Sequence, residues 1–194
     1  MNFLKNIYIW TLKKAEHKNA KWYLSLISFA ESSFFPIPPD ILLIPMALAS
    51  KTKALFYAFI CTLSSVLGGL FGYAIGYFFF NSIGLYIVEF YNLENSFSIF
   101  ENYYKEFGIL IVLGAGITPF PYKFITIASG VFGLNIYLFV IVSIIGRGLR
   151  FYLIAILLYF FGEKIKLFID KYFNILSITF FILLVGSVFI IRFL

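Results

Sequence analysis

The sequence predicts an all-α membrane protein. It reads as an inverted repeat of a re-entrant helical hairpin and a transmembrane helix, with an N-terminal amphipathic helix and a further C-terminal transmembrane helix. Three observations predict this. The 194 residues are 62% hydrophobic and only 12% charged, with mean hydropathy +0.97, whereas soluble domains average about 25% charged residues. Two apolar stretches too short to cross a bilayer are interrupted by prolines. Those two stretches also align with each other, and the loop charges place them on opposite faces of a membrane.

Taken in order, residues 1–21 have no continuous apolar run and no small-residue cleavage site, so they read as an amphipathic surface helix rather than a signal peptide. Residues 22–50 form the first hairpin. The apolar arms 22–35 and 41–50 reach ~21 and ~15 Å at helical rise, short of a bilayer core of ~30 Å. Between them, Pro36, Pro38 and Pro39 remove amide donors and forbid one continuous helix. Residues 54–80 are long and apolar enough to span. Segment 94–107, rich in acids and aromatics, reads as an amphipathic linker on the outer surface. Residues 107–133 form the second hairpin, with Pro119 and Pro121 at its tip, and residues 134–161 span again. Residues 172–194 give the last span. The repeated membrane domain thus covers 22–162.

FPIPPDILLIPMALA (35–49) lies over TPFPYKFITIASGVF (118–132), so Pro36 matches Pro119, Pro38 matches Pro121, and Asp40 falls on Lys123. Loop charge supports opposed hairpins independently. Lys51, Lys53, Lys164, Lys166 and Lys171 mark cytoplasmic loops, while Glu89, Glu94, Glu101 and Glu106 mark the outer side. One crossing between the hairpins makes them enter from opposite faces. Irregular backbone at that depth must be covered by protein or line a watery cavity.

One histidine, His17, and one cysteine, Cys61, leave no material for an internal disulfide, a His-Cys metal site or a nucleophilic triad. No phosphate-binding Gly-rich loop with a following Lys appears. The expectation is therefore a protein that is not an enzyme and has neither cofactor nor metal. The net charge of +6 is scattered beside membrane segments, which suits anionic lipid headgroups and not nucleic acid. Most of the 27 Phe and 14 Tyr read as lipid-facing bulk.

Five ionisable residues fall inside apolar stretches: Glu31, Asp40, Lys123, Arg147 and Arg150. Charges at such depth are costly and mark a functional pathway by default. Arg147 and Arg150 are three apart and share a helix face. Glu31 and Asp40 fall out of phase on an unbroken helix, but the proline turn between them lets both face one void. On the functional reading, Lys123, Arg147 and Arg150 hold an anionic headgroup such as a phosphate, and Glu31 and Asp40 carry protons. The alternative is that the charges only pair with one another, Asp40 with Lys123. Ser64, Gly68, Gly72 and Gly76, spaced by four, suit close helix packing, as do Gly146 and Gly148.

E-SSFFPIPPD-ILLIP (31–45), the G-x-x-x-G spacing at 68–76, GITPFPYKFITIASG (116–130) and GRGLRF (146–151) together resemble the DedA family. The shared region of that family is also called the VTT or SNARE-associated domain, and the TPFPYK form is similar to its YqaA-like branch. The resemblance covers about 22–162. It implies two opposed re-entrant hairpins, a multi-pass protein of the bacterial inner membrane, and translocation of a lipid such as undecaprenyl phosphate or a phospholipid. The family's essential acids match Glu31 and Asp40. Many members carry two arginines around the second hairpin's proline. Here that hairpin offers Lys123, and Arg147 and Arg150 lie on the following helix, so the resemblance does not fix the cargo.

These readings converge on a lipid translocase whose partners are an anionic lipid, protons and the bilayer. A proton-coupled transporter of a small ion or solute uses the same charges, and a non-transporting envelope scaffold is a third expectation.

Overall fold

The computed structural model describes residues 19–35, 37–90, 94–118, 120–162 and 164. Residues 1–18 of the expected N-terminal helix, the expected span 172–194, Pro36, Pro119, Lys166 and Lys171 lie outside the described residues. All regular secondary structure among the described residues is helical.

α1 (Ala20–Ser33) has 14 residues and stops where the prolines begin. The amides of Phe34 and Phe35 both bond back to the Ala30 carbonyl, at 2.9 and 2.8 Å. α2 (Asp40–Ala49, 10 residues) restarts after Pro39, whose φ of −65° suits a helix start. The Pro39 carbonyl then accepts from the amides of Leu42 and Leu43. A 3-10 turn (Lys51–Lys53) leads into α3 (Ala54–Phe79), which runs unbroken for 26 residues. A π-helical turn (Phe80–Gly84) and the short α4 (Leu85–Phe90) follow.

α5 (Glu94–Ile117) is one continuous helix of 24 residues. Segment 94–107, expected as an amphipathic linker on the outer surface, forms the first part of this helix. The segment has no proline, its first glycine is Gly108, and Lys105 pairs with Glu101 one turn back at 2.7 Å. It is also packed: Tyr104 is buried, and its hydroxyl lies 2.8 Å from the Ser129 hydroxyl and 3.1 Å from the Ile125 carbonyl. The chain breaks again before α6 (Tyr122–Val131), where Pro121 is extended. Gly133 takes a left-handed φ of 63°, which a side chain would strain. The Asn135 side chain then caps α7 (Ile136–Gly162) by accepting from the Tyr137 and Leu138 amides.

α3, with the 3-10 turn before it, and α7 are long and apolar enough to cross a membrane. The other described helices fall short in length or composition. α3 is the spine. A Cβ on Gly68 would lie 2.1 Å from the Phe29 carbonyl oxygen of α1. One on Gly76 would lie 2.0 Å from that of Ile127, and one on Gly130 2.0 Å from that of Tyr73. Backbones meet there, so the glycines at 68 and 76 serve close packing as their spacing suggests. Gly146 meets Gly116 in the same way, joining α7 to α5.

Buried positions on α7 recur every three or four residues: Phe139, Ser143 (with Val142 beside it), Arg147, Phe151, Ala155 and Leu158. They feed two apolar clusters. One gathers Leu24, Leu43, Met46, Ala58, Phe151 and Ala155 from α1, α2, α3 and α7. The other gathers Val112, Tyr122, Phe139 and Val142 from α5, α6 and α7. Between them lies a polar layer.

Candidate functional site

The polar layer begins as a row of serines on α1. Ser25, Ser28 and Ser32 recur at helical spacing and face α3. Ser25 and Ser64 share a hydrogen bond of 2.7 Å, Ser28 donates to the Cys61 carbonyl, and the Ser32 and Ser65 hydroxyls are 2.6 Å apart. Ser33 adds a bond to the Gly68 carbonyl. Serine is small enough to let the helices approach and satisfies its hydroxyl across the interface. On α6, Thr126 donates to the Ser32 carbonyl at 2.9 Å, tying α6 to the end of α1.

Glu31 sits at the head of this row. Its carboxylate accepts from Arg147 Nη2 at 2.6 Å and from the Ser32 hydroxyl at 3.1 Å. Arg147 Nε donates to Ser65 at 2.6 Å. Its guanidinium lies against two rings, 4.9 Å from the centre of Tyr122 and 4.7 Å from that of Phe151, an arrangement that stabilises a desolvated cation. Tyr122 is held in turn by the Ser143 hydroxyl at 2.6 Å. The side chains of Arg147 and Glu31 are 2% and 11% exposed. Ser65 and Arg147 both lie near the midpoints of the helices that carry them.

One turn further along α7, Arg150 joins the two helix breaks. Nη2 bonds the Asp40 carboxylate, and Nη1 bonds the Thr118 carbonyl. That carbonyl belongs to the residue just past α5, where no further helical turn can use it. The side chains of Arg150 and Asp40 are 16% and 17% exposed. Asp40 Oδ1 is enclosed and has no hydrogen-bond partner among the described residues.

Four of the five sequence-selected charges therefore meet as two ion pairs. Asp40 pairs with Arg150 and not with Lys123, the partner given it in the alternative reading, because α7 lays Arg150 across both breaks. Lys123 is half-buried at the start of α6, with its Nζ 5.6 Å from the centre of the Phe124 ring and in no ion pair among the described residues. Pro38, Pro39 and Pro121 lie in the breaks as expected. The sequence reading missed Ser32, Ser65, Tyr122 and the Thr118 carbonyl. The i, i+3, i+7 serines of α1 and the Ser64–Ser65 pair inside an apolar span were the available signal. Among the described residues no group of acids, His and Cys could hold a metal ion.

No family model matches the chain, and no solved structure matches it. Two relatives do. An uncharacterized protein of Haemophilus influenzae is 34% identical over 192 residues, covering 99% of this chain and 100% of the relative. An uncharacterized protein of Histophilus somni is 32% identical over 164 residues, covering 84% of this chain and 85% of the relative.

Proposed function

We propose that this chain, which belongs to one family with the Haemophilus influenzae and Histophilus somni proteins, is a multi-pass inner-membrane translocase for a phosphate-bearing lipid. The single observation that carries the reading is the pair of buried ion pairs, Glu31–Arg147 and Asp40–Arg150, at two helix breaks in an otherwise apolar chain. A bilayer-spanning protein keeps charges at mid-depth only at a cost, and they concentrate on substrate and proton pathways.

Exposure supports the bilayer. The outward sides of α3 and α7 are apolar, with Phe78 68% and Phe160 71% exposed, a surface that water disfavours and lipid accepts. α1 and α2 are each too short to cross and are joined by a proline break, the form of a re-entrant hairpin. Residues 107–117 at the end of α5, the break and α6 make the second, and α3 and α7 are the spans that follow each one. With α3 crossing once between them, the two units form an inverted repeat, as in many secondary transporters. The motif resemblance to the DedA family points the same way. On this reading Arg150, with Lys123 at the second break, receives the lipid phosphate, Asp40 exchanges protons as it passes, and the enclosed Glu31–Arg147 pair holds the helices that form the site. No covalent step is required.

Reconstitution into liposomes with labelled lipid phosphates tests this. Wild type is expected to move label between leaflets and to respond to a pH gradient, whereas Glu31→Gln, Asp40→Asn and Arg150→Ala move it at least about tenfold more slowly. Equal rates in all four proteins would exclude the mechanism. Transport of inorganic phosphate without lipid movement would assign the same charges to a solute.

A further inference from the structure

Arg147 and Arg150 lie three residues apart on α7, yet their surroundings differ in kind. Arg147 is enclosed on every side that matters to a ligand. Its Nε and Nη2 are committed to Ser65 and Glu31, and its guanidinium lies over the rings of both Tyr122 and Phe151. Its 2% side-chain exposure leaves no approach. An incoming phosphate would have to displace a carboxylate, a serine and an aromatic ring together.

Arg150 carries no ring over its guanidinium among the described residues. It holds one carboxylate oxygen and one main-chain carbonyl, and it is several times more exposed. A neutral carbonyl is a weaker partner than an anion. Its acid partner is also poorly held, since Asp40 Oδ1 bonds nothing among the described residues. A phosphate presents several oxygens to the same fork and matches guanidinium geometry in two-point contact. Asp40, once displaced, remains in the first turn of α2, where the helix dipole favours a carboxylate.

We propose that the two pairs have different jobs. Glu31–Arg147 is a permanent strut that positions α1, α3, α6 and α7. Asp40–Arg150 is an exchangeable pair, in which the phosphate group of the substrate takes the Arg150 guanidinium from Asp40. Arg150 is thus the specificity-determining contact, Arg147 is a positioning residue, and Asp40 is an internal competitor that returns Arg150 to its resting state when cargo leaves. This rests on the lipid-translocase reading for the identity of the anion, but the exchange itself is a binding property.

The test is binding and stability of the detergent-solubilised full chain. The probes are a soluble short-chain phosphatidic acid, the matching phosphatidylcholine, and inorganic phosphate, titrated by calorimetry, with Tm measured on each variant. Asp40→Asn removes the competitor and is expected to bind phosphatidic acid about tenfold tighter than wild type, the scale of one charge-assisted contact, with Tm little changed. Arg147→Lys keeps the charge but loses the Nε bond and the guanidinium's contact with two rings. It is expected to lower Tm while the folded protein binds within about twofold of wild type. The double variant Asp40→Asn/Arg150→Gln replaces the pair by two neutral amides, so no buried charge is left without a counter-ion. It is expected to keep Tm and lose binding.

Phosphatidic acid binding far above inorganic phosphate identifies a lipid headgroup as the anion, and equal binding identifies a free phosphate, with the exchange upheld in both cases. The exchange is overturned if wild type binds none of the probes, if Asp40→Asn binds no tighter, or if Arg147→Lys loses affinity at unchanged Tm. The translocase reading fails separately: liposomes in which no lipid moves, with this binding pattern intact, reject transport and leave the exchange standing.

Discussion

The two helix breaks look alike in sequence and differ in what they contribute. The first, between α1 and α2, is flanked by acids, Glu31 before it and Asp40 after it. The second, between α5 and α6, supplies a bare carbonyl at Thr118 and a lysine at 123. Neither is electrically complete. The acids of the first are neutralised by arginines on α7, more than a hundred residues away in the chain. The lesson is that the duplicated pattern hides a division of labour: one unit brings the anions, and the helix following the other brings the cations. In a low-dielectric setting, an acid whose counter-ion is missing is costly. The first unit therefore depends on α7 for its stability, and the second unit does not depend on the first in the same way.

The largest effects are expected at the glycines where each unit meets α3. Gly130→Leu places side-chain atoms where the Tyr73 carbonyl now sits, and Gly68→Leu does the same at Phe29. Each is expected to cost about 3 kcal/mol or more and to abolish a monodisperse folded species in size-exclusion chromatography. If only one of the two collapses, the units lean on α3 unequally.

Next in size is Arg147→Ala. It leaves Glu31 enclosed without its counter-ion and is expected to cost about 3–5 kcal/mol, read as lost resistance to thermal unfolding in micelles. The double variant Glu31→Gln/Arg147→Met is expected to recover most of that loss, because removing both charges also removes the desolvation penalty. A double variant no more stable than the single would show that Arg147 matters through its rings and Ser65 rather than through Glu31.

Asp40→Asn follows, at about 1 kcal/mol, since the pair is partly solvated and one carboxylate oxygen already lacks a partner. A loss as large as that of Arg147→Ala would erase the distinction between strut and exchangeable pair. The smallest effect belongs to Lys123→Gln, expected to change stability by no more than about 0.5 kcal/mol, because Lys123 holds no ion pair among the described residues. Its consequence should appear in lipid movement, measured in the same liposomes.

Much of the frame was legible because it follows from local rules. Prolines at 38, 39 and 121 deny amide donors wherever they sit. The runs at 54–80 and 134–161 contain nothing to stop a helix, and one helix fills most of each, Ala54–Phe79 and Ile136–Gly162. Small residues every four positions on α3 meant close backbones before any partner was known. Acidic and aromatic content marked 94–107 as an amphipathic linker, but it did not show that the segment runs on into the next apolar stretch as one helix. Helix continuity there is decided by the absence of a breaker and by Tyr104 reaching α6.

By itself, the sequence determined that this chain is helical, where its helices must break, and which five side chains carry charge into apolar surroundings. Each of those is a property of one segment: a missing amide, a run of methyl groups, an ionisable head. Partner choice is a property of the packed whole. Only the tertiary structure decided that Glu31 takes Arg147, that Asp40 takes Arg150 in place of Lys123, and that one arginine is closed in while its neighbour is not. The reason is rotational phase: the face of α7 that feeds both apolar clusters and lies against α5 at Gly116 and Gly146 also carries Arg147, and Arg150 follows three residues on.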